Sequence, residues 1–262
     1  MIYLKYWGLK KPPFTNEPDP ELVYFSDEFE EALSRLRYAI KRNKGAALLT
    51  GETGCGKTTL LATLAGSLPA NETCIVLVNG PFSKPIEFFK ETVRRFGSHH
   101  NHGERKSDFL RQIQSRIDRN TKDKMKTVFL IDDAEGLSKE TLEEVGLLLN
   151  VLSDQGLPAT MIFSGQPALR NRVGELKDLD QRTAMRCRLG LMNFEDTTGY
   201  ISHRLKAAGA VRRIFTFEAM VEIHSCASGI PLMVNEFCDL CLEKGYGSGA
   251  SVIGVDIVHG VN

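Results

Sequence analysis

Four short apolar runs alternate with segments whose apolar residues recur every three or four positions. The runs cover residues 46–50, 74–79, 127–131 and 159–163. The segments between them, such as 57–68, 85–96 and 139–152, have the spacing of helices packed on one face. Strands that are apolar on both faces are typical of a parallel sheet with helices on each side. The pattern therefore predicts an α/β fold, a three-layer arrangement of helices and parallel sheet.

The two ends of the chain follow different patterns. Residues 1–26 are rich in aromatic residues and proline, which excludes a long helix and predicts an extended strap packed on the domain that follows. After about Leu189 the strand pattern stops, and residues 197–208, 216–227 and 232–244 have helical spacing. We therefore expect an α/β domain over residues 1–190, strap included, and a small helical domain over residues 191–262.

The net charge is zero, because 33 Lys and Arg balance 33 Asp and Glu. It therefore indicates no class of partner. They are unevenly placed, however, and residues 94–126 hold ten basic and four acidic residues. Two interpretations remain open for this stretch. It is either a solvated helical surface or a surface for nucleic acid or another anion.

The cysteines, histidines and apolar runs narrow the class of protein. Six scattered cysteines favour a reducing cytoplasm over a disulfide framework. Cys238 and Cys241 lack a second metal-binding pair, so we interpret them as buried residues of one helix rather than a zinc site. The histidines at 99, 100 and 102 indicate a solvated loop more strongly than a metal site. No apolar run reaches the roughly 18 residues of a membrane span, so no transmembrane segment is expected.

A phosphate-binding loop follows the first apolar run. Residues 51–58 meet the pattern GxxxxGK[ST] between a predicted strand and a predicted helix. Glycines let backbone N–H groups surround a phosphate, and the N-terminus of the next helix adds partial positive charge. Lys57 would reach the β- and γ-phosphates and Thr58 would bind Mg²⁺. The predicted phosphate-binding residues are Gly51, Glu52, Thr53, Gly54, Cys55, Gly56, Lys57, Thr58 and Thr59.

Acidic residues end the third predicted strand. Asp132 would lie at the carboxyl edge of the sheet, where a carboxylate can hold Mg²⁺ through water. Asp133 or Glu135 could then orient the attacking water. The alternative is that these acids only cap the helix that starts near Ser138.

Three further polar residues are candidates with open alternatives. Gln166 follows the fourth predicted strand and could sense the γ-phosphate, or it could belong to an ordinary turn. Arg182 and Arg186, with Arg188 beyond them, follow a short helix, and an arginine there could project into a neighbouring subunit's site to stabilise transferred charge. A solvated basic face explains these arginines equally well.

The chain resembles the ExeA-type AAA+ ATPases, the general secretion pathway protein A family. The shared landmarks run along nearly the whole sequence: Tyr6-Trp7-Gly8-Leu9, Pro13-Phe14, Pro18-Asp19-Pro20, Tyr24-Phe25-Ser26, Glu31-Ala32-Leu33, the phosphate loop, 131–135, 165–169 and 200–209. This resemblance implies an AAA+ fold with a C-terminal helical lid, ATP and Mg²⁺ as cofactors, ATP hydrolysis, and a homo-oligomer with shared sites. Arg182 and Arg186 fall where the family carries arginine fingers.

Three positions depart from the family pattern. Asp133 stands where the family has its catalytic glutamate, and Leu232 stands where it has a lid arginine. Both departures predict slow hydrolysis with ATP binding retained. Cys55 replaces the usual Ser/Thr-like residue of the loop. Because a helix N-terminus can lower a thiol pKa, we expect this thiol to be alkylated and ATP to protect it.

We expect a cytoplasmic ATPase that drives assembly or remodelling of a cell-envelope secretion, pilus or polysaccharide-export system. Such a protein could lie at the inner membrane through a partner component. One alternative is an ATP-dependent, DNA-associated regulator of transposition that binds DNA without sequence preference. Another is a nucleotide-binding scaffold with negligible turnover.

Overall fold

The computed structural model describes residues 3–17, 19–97 and 105–261, and divides the chain into two compact units. The sheet unit comprises Phe29–Gly51 and Leu60–Leu189. The helical unit comprises the chain up to Glu28, Glu52–Thr59 and the chain from Gly190 onward. The sequence pattern predicts the N-terminal strap as part of the α/β domain, whereas the structure groups it with the C-terminal helices.

The sheet unit holds five strands in the order β2-β3-β4-β1-β5. They are β1 (Ala46–Gly51), β2 (Thr73–Asn79), β3 (Lys126–Asp132), β4 (Ala159–Gly165) and β5 (Thr183–Leu189). Every neighbouring pair is parallel, which confirms the predicted sheet. β1, β3 and β4 are almost fully buried, as expected for strands covered on both faces.

Twelve α-helices and two short 3-10 helices, at Pro20–Leu22 and Ala134–Gly136, complete the described chain. The helices are α1 (Tyr3–Trp7), α2 (Asp27–Lys41), α3 (Lys57–Ser67), α4 (Pro85–Arg95), α5 (Lys106–Lys122), α6 (Lys139–Asp154), α7 (Ala168–Gly174), α8 (Lys177–Arg182), α9 (Phe194–Ala207), α10 (Phe217–Ala227), α11 (Pro231–Gly247) and α12 (Val255–His259).

The edge strand β5 has no counterpart among the four predicted strands. It pairs with β1 alone, so only part of it is buried. Thr183, Cys187 and Leu189 are buried while Arg188 is exposed. A strand with one partner and several polar residues lacks the continuous apolar run by which β1 to β4 were recognised.

The strap packs into the core of the helical unit through its aromatic side chains. Trp7 is 1 % exposed, and its indole N–H donates a hydrogen bond to the carbonyl oxygen of Leu242 at 2.9 Å. Phe14 packs edge-to-face on Phe215. The strap therefore belongs to this core because its large apolar side chains are buried among α9, α11 and their neighbours.

The structure also shows the state of the cysteines and the placement of the metal-binding side chains among the described residues. All six cysteines are free thiols, and Cys238 and Cys241 lie fully buried in α11. Within residues 3–17, 19–97 and 105–261 no cluster of three metal-binding side chains occurs. The predicted histidine loop at 99, 100 and 102 lies outside the described residues. None of the described helices has the length and hydropathy needed to cross a membrane.

Candidate functional site

The phosphate loop starts where β1 ends, at Gly51, and leads directly into α3, which begins at Lys57. Gly54 has φ +80° and Gly56 has φ +100°. These values lie in the left-handed region that favours glycine. The two glycines therefore give the loop the backbone conformation that the pattern GxxxxGK[ST] requires.

Lys57 is turned back over its own loop. Its side chain is 8 % exposed, and Nζ donates a hydrogen bond to the carbonyl oxygen of Glu52 at 2.9 Å. Because Lys57 is also the first residue of α3, the positive end of an eleven-residue helix begins at the same point. A phosphate group on this loop would meet both the ammonium and the helix N-terminus.

The first turn of α11 packs on the phosphate loop. The backbone N–H of Leu232 donates to the carbonyl oxygen of Gly54 at 3.2 Å. A Cβ on Gly54 would lie 2.7 Å from the Cβ of Leu232 and 3.1 Å from Cγ2 of Ile230. Glycine is therefore needed here for space as well as for conformation. Leu232 thus places an apolar side chain beside the phosphate loop.

The thiol of Cys55 does not have the lowered pKa that its place in the loop predicted. Cys55 is 4 % exposed, and burial raises the pKa of its thiol despite the opposing charge of Lys57 and nearby backbone N–H groups. The expectation of a low thiol pKa was wrong because desolvation of a thiolate outweighs the favourable field of a helix N-terminus.

We expect Cys55 to react slowly with iodoacetamide at pH 8. With its pKa above the ordinary value, little of the thiol is ionised there, and the thiolate is the nucleophile. The rate should continue to rise between pH 8 and 10, since a raised pKa moves the ionisation to higher pH. Peptide mass spectrometry after timed labelling measures this rate. Faster labelling of Cys55 than of the half-buried Cys74, with a plateau below pH 8, would contradict the expectation.

The acidic residues follow β3 at the carboxyl edge of the sheet. Asp132 ends the strand and is 6 % exposed, and its Oδ1 accepts a hydrogen bond from the backbone N–H of Asp133 at 3.1 Å. Asp133 is exposed and has φ +51°, an unusual backbone conformation for a residue other than glycine. The chain then forms the 3-10 helix Ala134–Gly136 that carries Glu135. We call residues 133–137 the acidic turn.

Helix α6 has a serine as its N-cap. This observation bears on the alternative that the acidic residues after β3 only cap this helix. The Ser138 hydroxyl accepts a hydrogen bond from the backbone N–H of Thr141 at 3.1 Å. A serine side chain at the N-cap satisfies one of the orphan N–H donors of the helix start, which is the task that an acidic cap would perform. Asp132, Asp133 and Glu135 are therefore not needed to cap α6.

Glu135 lies against the end of β4. Oε2 of Glu135 lies so close to Gly165 that a Cβ there would clash with it, so the carboxylate packs directly on that glycine. This Oε2 is buried, and it has no hydrogen-bond partner among the described residues. The same holds for Oγ of Ser164, which is 0 % exposed. Buried polar atoms of this kind are normally satisfied by protein or by water.

Ser164 and Asn79 are two further polar residues at this edge of the sheet. Ser164 precedes the last residue of β4, and Asn79 ends β2 in register with Asp132. Each is a polar residue at the end of an apolar run, beside a strand that ends in an acid. The polar residues can be seen in the sequence, but their position beside Asp132 follows only from the order of the strands in the sheet.

The remaining candidates are placed as follows. Gln166 directly follows β4 and is exposed. Arg182 ends α8, and its guanidinium donates to Oδ1 of Asn150 at 2.8 Å and to Oγ of Ser153 at 2.9 Å. Arg186 on β5 forms an ion pair with Asp180. Both arginines therefore bond within the sheet unit, and their role in a neighbouring subunit stays a prediction.

Much of the charge in the basic stretch is neutralised locally. Arg94 and Arg95 pair with Glu91, and their guanidinium groups lower the pKa of that carboxyl to about 2. The other described pairs are Lys106–Glu144, Arg111–Asp108 and Lys122–Asp118. Among the described residues, five of the ten cations between positions 94 and 126 thus bond a carboxylate. These surface pairs reduce the basic excess without removing it.

A family model described as an AAA domain matches residues 40–173, the segment that holds the phosphate loop and the acidic turn. The chain belongs to the AAA domain family. Its sequence is 31% identical over 261 residues to the general secretion pathway protein A of Aeromonas hydrophila. This alignment covers 99% of the chain but 47% of that protein, so the chain spans about half the length of its curated relative. The resemblance predicted from the sequence is confirmed.

Solved structures of AAA+ proteins share the fold. The ORC2 protein of Aeropyrum pernix, in ADPNP–ADP complexes, matches with TM-score 0.70 and 16% identity over 96% of this chain and 71% of its own. Cdc6p of Pyrobaculum aerophilum matches with TM-score 0.73 and 15% identity over 92% and 67%. The RuvB Holliday junction branch migration motor of Thermotoga maritima matches with TM-score 0.63 and 19% identity over 94% and 72%. The AAA+ fold with a C-terminal helical region is therefore confirmed.

Proposed function

We propose that this chain binds ATP with Mg²⁺ and hydrolyses it slowly, and that hydrolysis drives assembly or remodelling of a cell-envelope secretion, pilus or polysaccharide-export system. The observation that carries the proposal is the phosphate loop. It has two left-handed glycines and a buried lysine, and it continues directly from the edge of the sheet at which β3 ends in the buried Asp132.

ATP binding follows from the chemistry of the loop. Lys57 and the N-terminus of α3 would neutralise the β- and γ-phosphates, as in other P-loop proteins. The Thr58 hydroxyl would bind Mg²⁺, and Asp132 would hold a water of the metal, because hard oxygen ligands suit this ion. The chemistry of both groups fits an Mg²⁺–nucleotide. The metal would supply electrostatic stabilisation of the transferred phosphoryl group.

Slow hydrolysis follows from the residues available to orient water. Asp133 has a shorter side chain than the glutamate of the related family, and Leu232 offers no charge beside the loop. Glu135 has a buried carboxylate oxygen that makes no hydrogen bond within the described chain. We propose that Glu135 shares with Asp133 the task of orienting the attacking water, and that Gln166 senses the γ-phosphate.

A shared site in a homo-oligomer would place Arg182 or Arg186 beside the ATP of a neighbouring subunit. Each arginine would first have to leave its bonds within the chain, to Asn150 and Ser153 or to Asp180. The arginine would give up several polar contacts within its own chain and gain a charged contact to the neighbour's phosphate. It could therefore act only when subunits assemble. We propose that turnover therefore rises with protein concentration.

The secretion role rests on the relationship to general secretion pathway protein A, of which the chain spans about half. We propose a location in the cytoplasm, peripheral to the inner membrane through a partner component of the machine.

The test is steady-state phosphate release by the purified chain, with Asp133→Asn and Glu135→Gln variants and the exposed Asp123→Asn as control. We expect each of the two site variants to lower kcat by about 10-fold or more, in line with the loss of a general base, and the control to match wild type. If both site variants turn over as fast as wild type, catalysis by the acidic turn is excluded. The hypothesis of a nucleotide-binding scaffold with negligible turnover is then favoured.

The same assay with duplex DNA separates secretion from DNA-linked regulation. We expect DNA to leave the rate unchanged, because the proposed role rests on the relationship to a secretion protein. Stimulation by DNA that falls steeply with salt would contradict the secretion reading.

A further inference from the structure

Arg172 on α7 is buried to an intermediate degree, and its two terminal nitrogens bond to one short segment of backbone. Nη1 donates to the carbonyl oxygen of Glu135 at 2.6 Å, and Nη2 donates to the carbonyl oxygen of Leu137 at 2.5 Å. A guanidinium presents two N–H groups in a fixed fork, so two acceptors two residues apart are held at one spacing. Arg172 makes no ion pair with a carboxylate in the described chain.

The acidic turn is also held by core contacts, because Ala134 and Leu137 are buried in the core of the sheet unit. It begins at Asp133 in a left-handed conformation and continues for a single 3-10 turn. On another side it packs on the loop after β2, where a Cβ on Gly136 would lie 3.2 Å from Cα of Pro81, and the Ser138 N–H donates to the Phe82 carbonyl oxygen at 3.2 Å. Strained backbone of this kind persists only where neighbouring groups fix it.

Helix α7 is itself anchored at the end of β4. It begins two residues after Gln166, and Leu169 and Val173 are buried in the core of the sheet unit. A Cβ on Gly165 would lie 2.8 Å from Cδ2 of Leu169. Arg172 therefore connects the end of β4, which carries Gln166, with the turn after β3, which carries Asp133 and Glu135.

We propose that Arg172 is a positioning residue that fixes the acidic turn, and through it the carboxylate that orients the attacking water. This inference rests on the proposed ATPase function. Arg172 touches no reacting atom in this account. It acts by holding the carbonyl oxygens of Glu135 and Leu137, so that the side chains of the turn keep one orientation.

The primary test compares Arg172→Ala and Arg172→Lys with the matched control Arg170→Ala, which alters an exposed arginine of the same helix. We expect Arg172→Ala to lower kcat about 10- to 100-fold, the usual loss when a supporting residue is removed. KM for ATP should change less than about twofold. Arg172→Lys should restore only part of kcat. An ammonium can bond one of the two carbonyl oxygens but cannot hold both in a fixed fork. Arg170→Ala should match wild type.

A double-mutant cycle distinguishes positioning from a general structural effect. In an Asp133→Asn, Glu135→Gln background, Arg172→Ala should lower kcat no further, since the carboxylates through which it acts are already gone. A further drop equal to that in the wild-type background would overturn the proposal.

Hydrogen exchange gives a readout that needs no turnover. We expect the amides of Gly136, Leu137 and Ser138 to exchange faster in Arg172→Ala than in wild type or in Arg170→Ala. If these amides exchange at the wild-type rate in Arg172→Ala, the inference is overturned. It is also overturned if wild type is active and Arg172→Ala shows faster exchange with the wild-type kcat. If wild type releases no more phosphate than Lys57→Ala, the proposed function has failed. Exchange alone then decides whether Arg172 fixes the turn.

Discussion

Lys57→Ala is expected to weaken ATP binding by about 10- to 100-fold. A hydrogen bond to a charged group contributes about 1.5–3 kcal/mol, and each 1.4 kcal/mol is about tenfold in affinity. The ammonium lies over the phosphate loop, bonded to the Glu52 carbonyl oxygen, so its position suits the β- and γ-phosphates. Titration of a fluorescent ATP analogue measures the change. ADP affinity should fall less, because one of the two phosphates is absent.

Lys44→Ala is the matched control for this prediction. Lys44 is exposed and lies just before β1, at the end of the strand opposite to the phosphate loop. The two variants remove the same charge from the ends of one strand. Equal ATP affinity of Lys57→Ala and Lys44→Ala would show that the loop does not bind phosphate through its lysine.

Asp132→Asn is expected to lower kcat by about 100-fold, the order of effect of removing one electrostatic stabiliser of a transition state. Asparagine has almost the same shape, and its Oδ1 can still accept the Asp133 N–H that Oδ1 of Asp132 accepts now. The variant should therefore keep its fold and lose the negative charge that we propose holds Mg²⁺. Phosphate release measured against Mg²⁺ concentration should need more Mg²⁺, while ATP affinity without metal stays unchanged.

Asp118→Asn controls for the general loss of one negative charge. Asp118 lies on α5, and its carboxylate pairs with Lys122 on the protein surface. A surface pair of this kind contributes little, so its turnover should match wild type. If Asp132→Asn shows the wild-type Mg²⁺ dependence, Asp132 does not hold the metal.

Much of the sheet could be predicted because its strands carry their own signal. β1, β3 and β4 are apolar on both faces, and the predicted runs fall within the observed strands. The phosphate loop was equally clear, since its glycines and lysine have fixed spacing in the chain. Helix α4 begins at the predicted Pro85, because proline suits the first turn of a helix.

The features that were missed depend on contacts distant in sequence. Trp7 packs near Leu242, and no local pattern indicates that the strap belongs with α11 rather than with the sheet. Strand β5 is recognisable only by its pairing with β1. The raised pKa of the Cys55 thiol depends on burial, which the loop motif does not encode.

Arg172 illustrates the same limit at the candidate site. Its bonds join α7 to the backbone of residues 135 and 137, more than thirty positions away. Backbone carbonyls have no sequence signature, so an arginine that binds them cannot be distinguished in the sequence from Arg170 on the same helix. The functional side chains could be proposed from motifs, whereas the residues that hold them in place required the structure.

The central claim is that this chain binds ATP on its phosphate loop and hydrolyses it with Mg²⁺. The most direct measurement is calorimetric titration of wild type and Lys57→Ala with ATP, followed by phosphate release with and without Mg²⁺. The account predicts saturable binding to wild type, much weaker binding to the variant, and slow release that requires Mg²⁺. Absence of saturable ATP binding to wild type, or equal affinity in the two proteins, would contradict it.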